Sequence, residues 1–333
     1  METKPRRSKA PAASSPRRRR LPGDPATRYA KAVVSGKTIA GPHVRAACAR
    51  HIKDLEEGAA RGLIWDQEAV VHALAFFTEV LCLNGGEYEG KPFELLAWQR
   101  FVVGSIFGWK TVDGHRRFRV AYVETAKGSG KSPLAAGIGM YGMVADNEAR
   151  AEIYAAATKK DQAMVLFRDA VAMWQLSPEL RSRLKTSGTG ENVWNLAYLE
   201  KGAFFRPISA DDGQSGPRPH IALIDEVHEH RNNTVVEMMR AGTKSRRQAL
   251  IFMITNSGSS KTSTCWGYHD YGAKVADGVL EDDTFFSYIC SLDVGEDPIR
   301  NEKCWAKANP SLQEADLPGI KYLREQVREA RGM

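Results

Sequence analysis

The amino-acid sequence predicts an α/β protein whose mainly parallel sheet carries helices on both faces and follows an N-terminal helical region. Two observations lead to this prediction. From Phe118 onward, short apolar runs rich in β-branched and aromatic residues alternate with longer helical segments, and strands joined through helices pair in parallel. Before that point, apolar residues recur at intervals near 3.6, which is typical of helices that bury one face.

The individual elements follow from these periodicities in chain order. Helices are predicted at 43–60, 66–83 and 93–109, the last beginning after Pro92. Beyond them the sequence predicts strands at 118–123, 152–157, 204–208, 221–224, 249–255 and 285–292, and helices at 131–145, 159–175 and 233–242. The expected domains are a helical region at 23–115, an α/β core at 116–295 and a linker at 296–333.

The positive charge of the chain is concentrated in its first residues. The net charge is +7 over 333 residues, and residues 1–20 hold eight basic side chains and one acidic one, so the remainder is neutral. This Pro-, Ala-, Ser- and Arg-rich tail, residues 1–22, is expected to be disordered. It could attract phosphate backbones without sequence preference, or extend into solvent with no specific partner.

Apolar segments and cysteines bear on the cellular location. No apolar run reaches the roughly 18 residues that a membrane-spanning helix needs, and no apolar core follows the basic start as in a secretory signal. Five cysteines lie far apart without a C-x-x-C pair, which favours free thiols in a reducing cytoplasm. We therefore expect a protein that is neither secreted nor membrane-bound.

A phosphate-binding loop follows the first strand of the predicted core. Its two glycines let the backbone approach phosphate oxygens, and the helix that follows turns its N-terminus toward them. Lys131 would reach the β- and γ-phosphates, and the Ser132 hydroxyl would hold a Mg²⁺. The usual pattern for such loops is G-x-x-x-x-G-K-[ST]. The present loop departs from it at one position, because Thr125 stands in place of the first glycine. The predicted nucleotide-binding residues are Thr125, Ala126, Lys127, Gly128, Ser129, Gly130, Lys131 and Ser132.

Two consecutive carboxylates follow the predicted strand at 221–224. In open parallel sheets, ligands bind at the carboxyl ends of the strands, so Asp225 and Glu226 are expected beside the phosphates. Asp225 would contact Mg²⁺ directly or through water, and Glu226 would orient and deprotonate the water that attacks the γ-phosphate. The alternative is a helix N-cap followed by an acid in the first turn.

The predicted strand at 249–255 also ends in polar residues. If it lies beside the carboxylate strand, its tip can sense the γ-phosphate, and Thr255 and Asn256 are then candidates for coupling hydrolysis to movement. The alternative is a simple turn at 256–258.

Five segments together resemble the large terminase subunits of tailed bacteriophages, the ATPases that pump DNA into empty capsids. They are 92–101 with 107–110, 125–132, 154–163, 221–230 and 308–312. The resemblance implies a P-loop NTPase of the RecA-like (ASCE) type that uses ATP and Mg²⁺. It also implies double-stranded DNA, a portal protein and a small terminase subunit as partners, a homo-oligomeric ring at the portal, and action in the host cytoplasm.

The same resemblance assigns roles to residues outside the loop. Trp98 and Gln99 look like the adenine-recognition segment of these motors, because an aromatic can stack on the base and an amide can both donate and accept. The alternative for Trp98 is a core aromatic. Thr158 and Gln162 match a further segment whose role stays open.

Lys127 stands where many family members have an arginine that stabilises charge in the transition state. Lysine lacks the planar fork of arginine, so an arginine from a neighbouring subunit, Arg206 or Arg218, is an alternative. The catalytic candidates within the chain are Glu226, Lys131 and Lys127.

Family members usually continue into a nuclease domain. The present chain ends at Met333, so we expect no DNA cleavage from it alone, whether it is a truncated product or works with a nuclease on another chain. Two other functions stay open at this point: a helicase-type or remodelling ATPase, and a nucleotide- or DNA-binding remnant that does not hydrolyse ATP.

His228 and His230 invite a comparison with metal sites. Their spacing is i, i+2, whereas ligands on one face of a helix are spaced i, i+4. We expect them to flank the turn after the two carboxylates instead.

Overall fold

The computed structural model describes residues 24–209 and 216–333, and the basic tail predicted at 1–22 lies outside these ranges. The helices are α1 (Pro25–Val34), α2 (Pro42–Glu57), α3 (Gln67–Val80), α4 (Ala97–Gly108), α5 (Lys131–Val144), α6 (Lys160–Leu176), α7 (Pro178–Arg183), α8 (Thr234–Gly242), α9 (Thr264–Ala276), α10 (Trp305–Ala308), α11 (Leu312–Ala315) and α12 (Ile320–Gly332). Within the described ranges, no helix combines the length and apolar character needed to cross a bilayer.

Most strands join a single sheet. The strands are β1 (Leu63–Trp65), β2 (Trp109–Thr111), β3 (Val120–Glu124), β4 (Glu152–Ala157), β5 (Lys185–Ser187), β6 (Asn195–Tyr198), β7 (Ala203–Ser209), β8 (Ile221–Ile224), β9 (Leu250–Thr255) and β10 (Phe285–Ile289). Eight of them follow the order β10-β3-β9-β8-β4-β7-β6-β5. Pairing is parallel from β10 to β7 and antiparallel for β6 and β5. The predicted α/β fold with a mainly parallel sheet is confirmed.

Apolar clusters cover both faces of this sheet. Along β3, Ala121 and Val123 belong to one cluster, whereas Val120 and Tyr122 belong to the other, because side chains alternate along a strand. The larger cluster contains residues of α1 to α7, and the smaller one contains residues of α8 and α9. Burial on both faces explains why the central strands are almost entirely apolar in sequence.

The N-terminal helices are tied to the edge of the sheet at β10. The Arg117 guanidinium is 2% exposed and donates to Asp54 Oδ2 in α2 at 2.7 Å and to Asp283 Oδ1, just before β10, at 2.5 Å. Nearby, the hydroxyls of Tyr29 in α1 and Tyr288 in β10 lie 2.8 Å apart. The helical region is therefore anchored by buried polar contacts as well as by apolar packing.

The third predicted helix begins later than expected. Sequence periodicity placed its start after Pro92, but α4 begins at Ala97 because the chain at Pro92 pairs with the segment that follows α3. The Gln99 side chain then accepts the Leu96 N–H at 2.9 Å and closes the first turn. The prediction of this boundary was wrong because it ignored a pairing between segments.

Sequence patterns missed several elements, among them α1, β5, β6 and α9. β5 reads Lys-Thr-Ser, which is too short and polar to resemble a strand. α9 contains two glycines and several aromatic residues, which lower its intrinsic helix propensity. In the fold, α9 packs against β10 and α2.

Helix α5, which begins at the phosphate-binding loop, approaches the sheet closely through glycines. A Cβ at Gly139 would lie 2.8 Å from Phe205 and 2.9 Å from Leu223, and one at Gly142 would lie 2.3 Å from Ile221. These glycines leave room for the side chains of the strands. They thereby set the distance between the sheet and the helix that carries Lys131.

We predict that Gly139→Ala lowers the free energy of unfolding by about 1–3 kcal/mol, because the added methyl group overpacks this contact. Gly267→Ala in α9 is a matched control, since a Cβ there meets nothing within 4 Å. This control should be neutral or stabilise by about 0.5–1 kcal/mol, because alanine loses less backbone entropy in a helix. Denaturant unfolding of both variants measures the difference, and equal effects would contradict the close approach.

Candidate nucleotide site

Three strand ends meet at one edge of the sheet. β9 lies between β3 and β8, and all three are parallel, so their carboxyl ends lie side by side. The loop at 125–132 follows β3, Thr255 and Asn256 end β9, and Asp225 and Glu226 follow β8. The expectation that the strand with the polar tip lies beside the carboxylate strand is confirmed.

The loop at 125–132 has the backbone shape that its glycines suggested. Gly128 and Gly130 both adopt left-handed conformations, with φ of 83° and 82°, which side chains with a Cβ rarely adopt. Gly130 is the N-cap of α5, so the helix starts at Lys131 and points its N-terminus into the loop. This is the arrangement in which backbone N–H groups and the helix dipole attract phosphate oxygens.

The Lys131 ammonium is buried and saturated with hydrogen bonds. Its Nζ donates to Thr125 O at 3.1 Å, to Ala126 O at 3.0 Å and to Asn256 Oδ1 at 2.7 Å. Burial lowers the pKa of Lys131, although the negative charges of Glu226 and Asp225 oppose this. Because an ammonium group has three donors, a phosphate ligand would have to replace some of these partners.

Asp225 is a buried carboxylate without a cation next to it. Its side chain is 6% exposed, and Oδ1 accepts the Glu226 N–H at 2.8 Å. Burial, together with the charge of Glu226, raises the pKa of Asp225 to about 7, and the charge of Lys131 only partly offsets this. Within the described ranges, no ion pair within 4.0 Å forms at Asp225. Among the described residues, no basic side chain within 4.0 Å balances this charge, and a bound divalent cation would balance it.

The donor set at this edge suits Mg²⁺ better than a metal held by protein alone. Among the residues that the structure describes, no group of three or more His, Cys, Asp or Glu side chains is arranged to hold a metal ion. Mg²⁺ typically uses one or two protein oxygens together with phosphate oxygens and water. Ser132, at the first turn of α5, and Asp225 offer such a pair of oxygens.

Glu226 has a strained backbone and a partly exposed side chain. Its φ of 47° and ψ of 50° lie in the left-handed region, which is uncommon for a residue with a Cβ. The side chain is 36% exposed, and its Oε2 lies 3.1 Å from His228 Nδ1 and 3.4 Å from Asn256 Nδ2. The alternative of an N-cap with a first-turn acid fits only in part, because Glu226 is the N-cap of a short 3₁₀ turn at Val227–Glu229 but its side chain accepts no N–H of that turn.

The tip of β9 connects the loop with the carboxylates. The Asn256 amide accepts from Lys131 through Oδ1 and donates to Glu226 through Nδ2. Thr255 is fully buried, and its hydroxyl accepts the His228 N–H at 3.0 Å. These contacts go beyond a simple turn at 256–258, because one amide touches both halves of the site.

A distant segment supports the loop from behind. Ser311 Oγ accepts the Trp98 indole N–H at 2.9 Å and donates to Ser129 O at 2.9 Å. Ala308 O accepts the Ala126 N–H at 3.2 Å. Ser311 is fully buried, and sequence reasoning missed its role because the contact joins residues 182 positions apart.

Trp98 and Gln99, the residues predicted to recognise adenine, are both buried in the protein interior. Trp98 is 1% exposed, and its ring stacks on Tyr288 with centroids 5.5 Å apart, which corresponds to the core-aromatic alternative. Stacking on a base would require the indole to leave these contacts, so that role gains no support here. Gln99 is buried as well and donates to Gly130 O at 3.4 Å, which places it directly against the phosphate-binding loop.

The other residues singled out from the sequence lie farther from these contacts. Lys127 is exposed on the loop. Arg206 packs over Tyr154 and Phe204 in the middle of β7. Gln162 donates to Glu229 across from the carboxylate turn. Roles for these residues in catalysis stay predictions.

A buried acid at the end of β3 was also missed. Glu124 is 3% exposed and accepts from the Tyr122 hydroxyl at 2.8 Å, and its Oε2 lies 2.9 Å from His269 Nδ1. The hydrogen bond to Glu124 raises the pKa of His269. The sequence did contain a signal for this role, since Glu124 is an acid at the end of an otherwise apolar strand. The contact between Glu124 and His269 fixes α9 against β3, the strand that leads into the loop.

Known proteins match the chain over a range that includes the loop, the two carboxylates and the tip of β9. Residues 97–274, more than half of the chain, match the family described as terminase large subunit, ATPase domain. Protein YmfN of Escherichia coli (strain K12) is 31% identical over 150 residues, which cover 44% of this chain and 31% of that protein. The large subunit of terminase from Enterobacteria phage HK97 is 21% identical over 245 residues, which cover 72% of this chain and 45% of that protein.

A solved structure shares the fold. The crystal structure of the HK97 bacteriophage large terminase aligns with a TM-score of 0.67 at 19% sequence identity, over 79% of this chain and 52% of that chain. The present chain thus spans between about a third and about half of the length of the proteins it matches.

We predict that Ser311→Ala destabilises the protein by about 1–3 kcal/mol, because the Trp98 N–H and the Ser129 carbonyl would lose a buried partner. Ser260→Ala is a control at an exposed serine in the loop before α9. Denaturant unfolding compares the two. An unchanged stability for Ser311→Ala would show that the loop does not depend on this hydroxyl.

A second prediction concerns pH. Since the pKa of Asp225 is about 7 in the folded protein and 3.8 is its ordinary value, the folded state loses stability as pH rises from about 4 to about 7. In Mg²⁺-free buffer, Asp225→Asn should therefore stabilise the protein more at pH 8 than at pH 5, by on the order of 2 kcal/mol. Glu281→Gln controls for a carboxylate-to-amide change at an exposed carboxylate outside this pair. An equal effect of Asp225→Asn at both pH values would contradict the shift.

Proposed function

The chain belongs to the family of terminase large subunits, in the part that forms their ATPase domain, and from this membership we propose that it binds and hydrolyses ATP to drive DNA packaging. One observation supports the proposal most directly. A single amide, that of Asn256, contacts both the P-loop lysine and the carboxylate of Glu226. This contact supports assigning phosphate binding to Lys131 and water activation to Glu226 within one hydrogen-bonded unit.

Lys131 and the backbone of residues 125–132 bind the phosphates in this proposal. The ammonium exchanges its contacts with Thr125 O, Ala126 O and Asn256 Oδ1 for phosphate oxygens, and the negative charge of the ligand restores the pKa that burial has lowered. Lys127, exposed at the edge of the loop, adds a point charge near the transferring phosphoryl group. Gln99 holds the loop at Gly130.

Glu226 is the general base. Its partly exposed carboxylate orients the attacking water and accepts its proton as the bond to the γ-phosphorus forms. Ser132 and Asp225 would hold Mg²⁺, which when bound neutralises charge on the β- and γ-phosphate oxygens. Asp225 must lose its proton to do so, and its raised pKa makes Mg²⁺ binding weaker as pH falls below about 7.

Coupling to movement is assigned to the end of β9. When Lys131 turns to a phosphate, the Oδ1 atom of Asn256 loses its donor, and the same side chain lies against Glu226. Thr255 links this tip to the turn after Glu226. The moving partner is double-stranded DNA, and the chain works as a homo-oligomeric ring at the portal protein with the small terminase subunit, in the cytoplasm of the bacterial host.

ATP turnover tests the catalytic proposal. Glu226→Gln should lower the turnover number about 10²- to 10⁴-fold with little change in ADP affinity, because the base is lost while the phosphate site is kept. Lys131→Ala should weaken nucleotide binding instead. Glu281→Gln, the same change at an exposed carboxylate before β10, is the control and should leave turnover unchanged. Measurements with and without double-stranded DNA probe the motor function, and equal rates for wild type and Glu226→Gln would refute the assignment of the base.

A further inference from the structure

His228 follows the two carboxylates and is not explained by the P-loop chemistry. Its imidazole Nδ1 lies 3.1 Å from Glu226 Oε2 and 3.2 Å from Thr255 Oγ1. Its main-chain N–H donates to the same Thr255 hydroxyl at 3.0 Å. The side chain is about a quarter exposed, so it stands between the end of β9 and the solvent side of Glu226.

The hydrogen bonds around His228 specify where the imidazole proton lies. The Thr255 hydroxyl donates its own hydrogen to Asn256 O at 2.8 Å, so its oxygen can only accept from His228. A carboxylate oxygen of Glu226 can also only accept. Both neighbours therefore require the proton on Nδ1, and the neutral ring is the Nδ1–H tautomer.

The same contacts restrict the carboxylate of Glu226. Within the described ranges, the polar side chains near it, His228 and Asn256, both approach Oε2. A carboxylate held through one oxygen presents the other, Oε1, to a water molecule in a fixed direction. This matters here because the left-handed backbone at Glu226 leaves the side chain without support from a regular helix or strand.

We propose that His228 is a positioning residue for Glu226: its Nδ1–H, anchored on Thr255, holds Oε2 so that Oε1 faces the attacking water. The inference rests on the proposed ATP hydrolysis and adds a determinant of its rate. It also connects the end of β9 to the base along a second route, since Thr255 acts through His228 while Asn256 touches Glu226 directly. His228 itself contacts neither nucleotide nor water in this role.

Two substitutions separate hydrogen bonding from shape. His228→Asn keeps a donor near the position of Nδ1, whereas His228→Leu has a similar shape and no donor. The main-chain bond to Thr255 is available in both. We expect His228→Leu to lower the turnover number about 10- to 100-fold with KM and ADP affinity changed less than about threefold, and His228→Asn to recover most of the rate.

Further variants complete the test. In a Glu226→Gln background, His228→Leu should cause no additional loss, because residues that act as a unit are not additive. His115→Leu, at the opposite end of β3 in the turn before that strand, is the control and should leave turnover unchanged. Equal rates for wild type and His228→Leu, or equally low rates for the Asn and Leu variants, would overturn the inference.

A measurement independent of turnover distinguishes failure of this inference from failure of the proposed function. Nitrogen-15 spectra of histidine-labelled protein report the tautomer of each neutral imidazole, and His228→Leu identifies the signal. The Nδ1–H tautomer is expected, and an Nε2–H tautomer would refute the positioning role even if the chain hydrolyses ATP. If the tautomer is as expected but Glu226→Gln turns over like wild type, the assignment of the base fails, and the positioning role fails with it.

Discussion

The hydrogen bonds of Asn256 hold the nucleotide site together. This side chain lies between β3 and β8, where it accepts from Lys131 and donates to Glu226. The arrangement requires β9 to run between the other two strands, which the parallel register of the sheet provides. With another strand order, Lys131 and the Glu226 carboxylate would not share Asn256 as a neighbour, and the coupling proposed above would lack its shortest route.

The charges of the site are buried apart from each other. Burial lowers the pKa of Lys131 and raises that of Asp225, so both groups lose stability in their charged forms for the same reason. A direct ion pair would have relieved both. Keeping them separate leaves each charge to be compensated by a ligand of the opposite sign, a phosphate for the ammonium and a cation for the carboxylate. In the proposed function, bound nucleotide and Mg²⁺ would return the stability that these buried charges cost the free protein.

Sequence reasoning located the site well where local chemistry determines structure. The glycines of the loop require left-handed backbone, and the apolar runs before Asp225 and Thr255 read as buried strands, so both could be predicted from residue types alone. The left-handed backbone of Glu226 and the tautomer of His228 depend on where β9 ends relative to β8. The spacing of residues along the sequence does not determine how two strand ends align. Trp98 illustrates the same limit: an aromatic before a P-loop fits both a base platform and a core residue, and only its contact with Tyr288 shows the packing.

The bond between Ser311 and Ser129 joins residues 182 positions apart in the chain. A ribosome therefore makes the loop long before Ser311, whereas β10, the last strand of the sheet, ends at Ile289, shortly before that serine. Until then, the Trp98 indole and the Ser129 carbonyl lack their common partner. A chain that folds as it emerges during synthesis can therefore form the loop before the hydrogen bond between Ser311 and Ser129 exists. Only a chain extended past Ser311 can support the loop from behind.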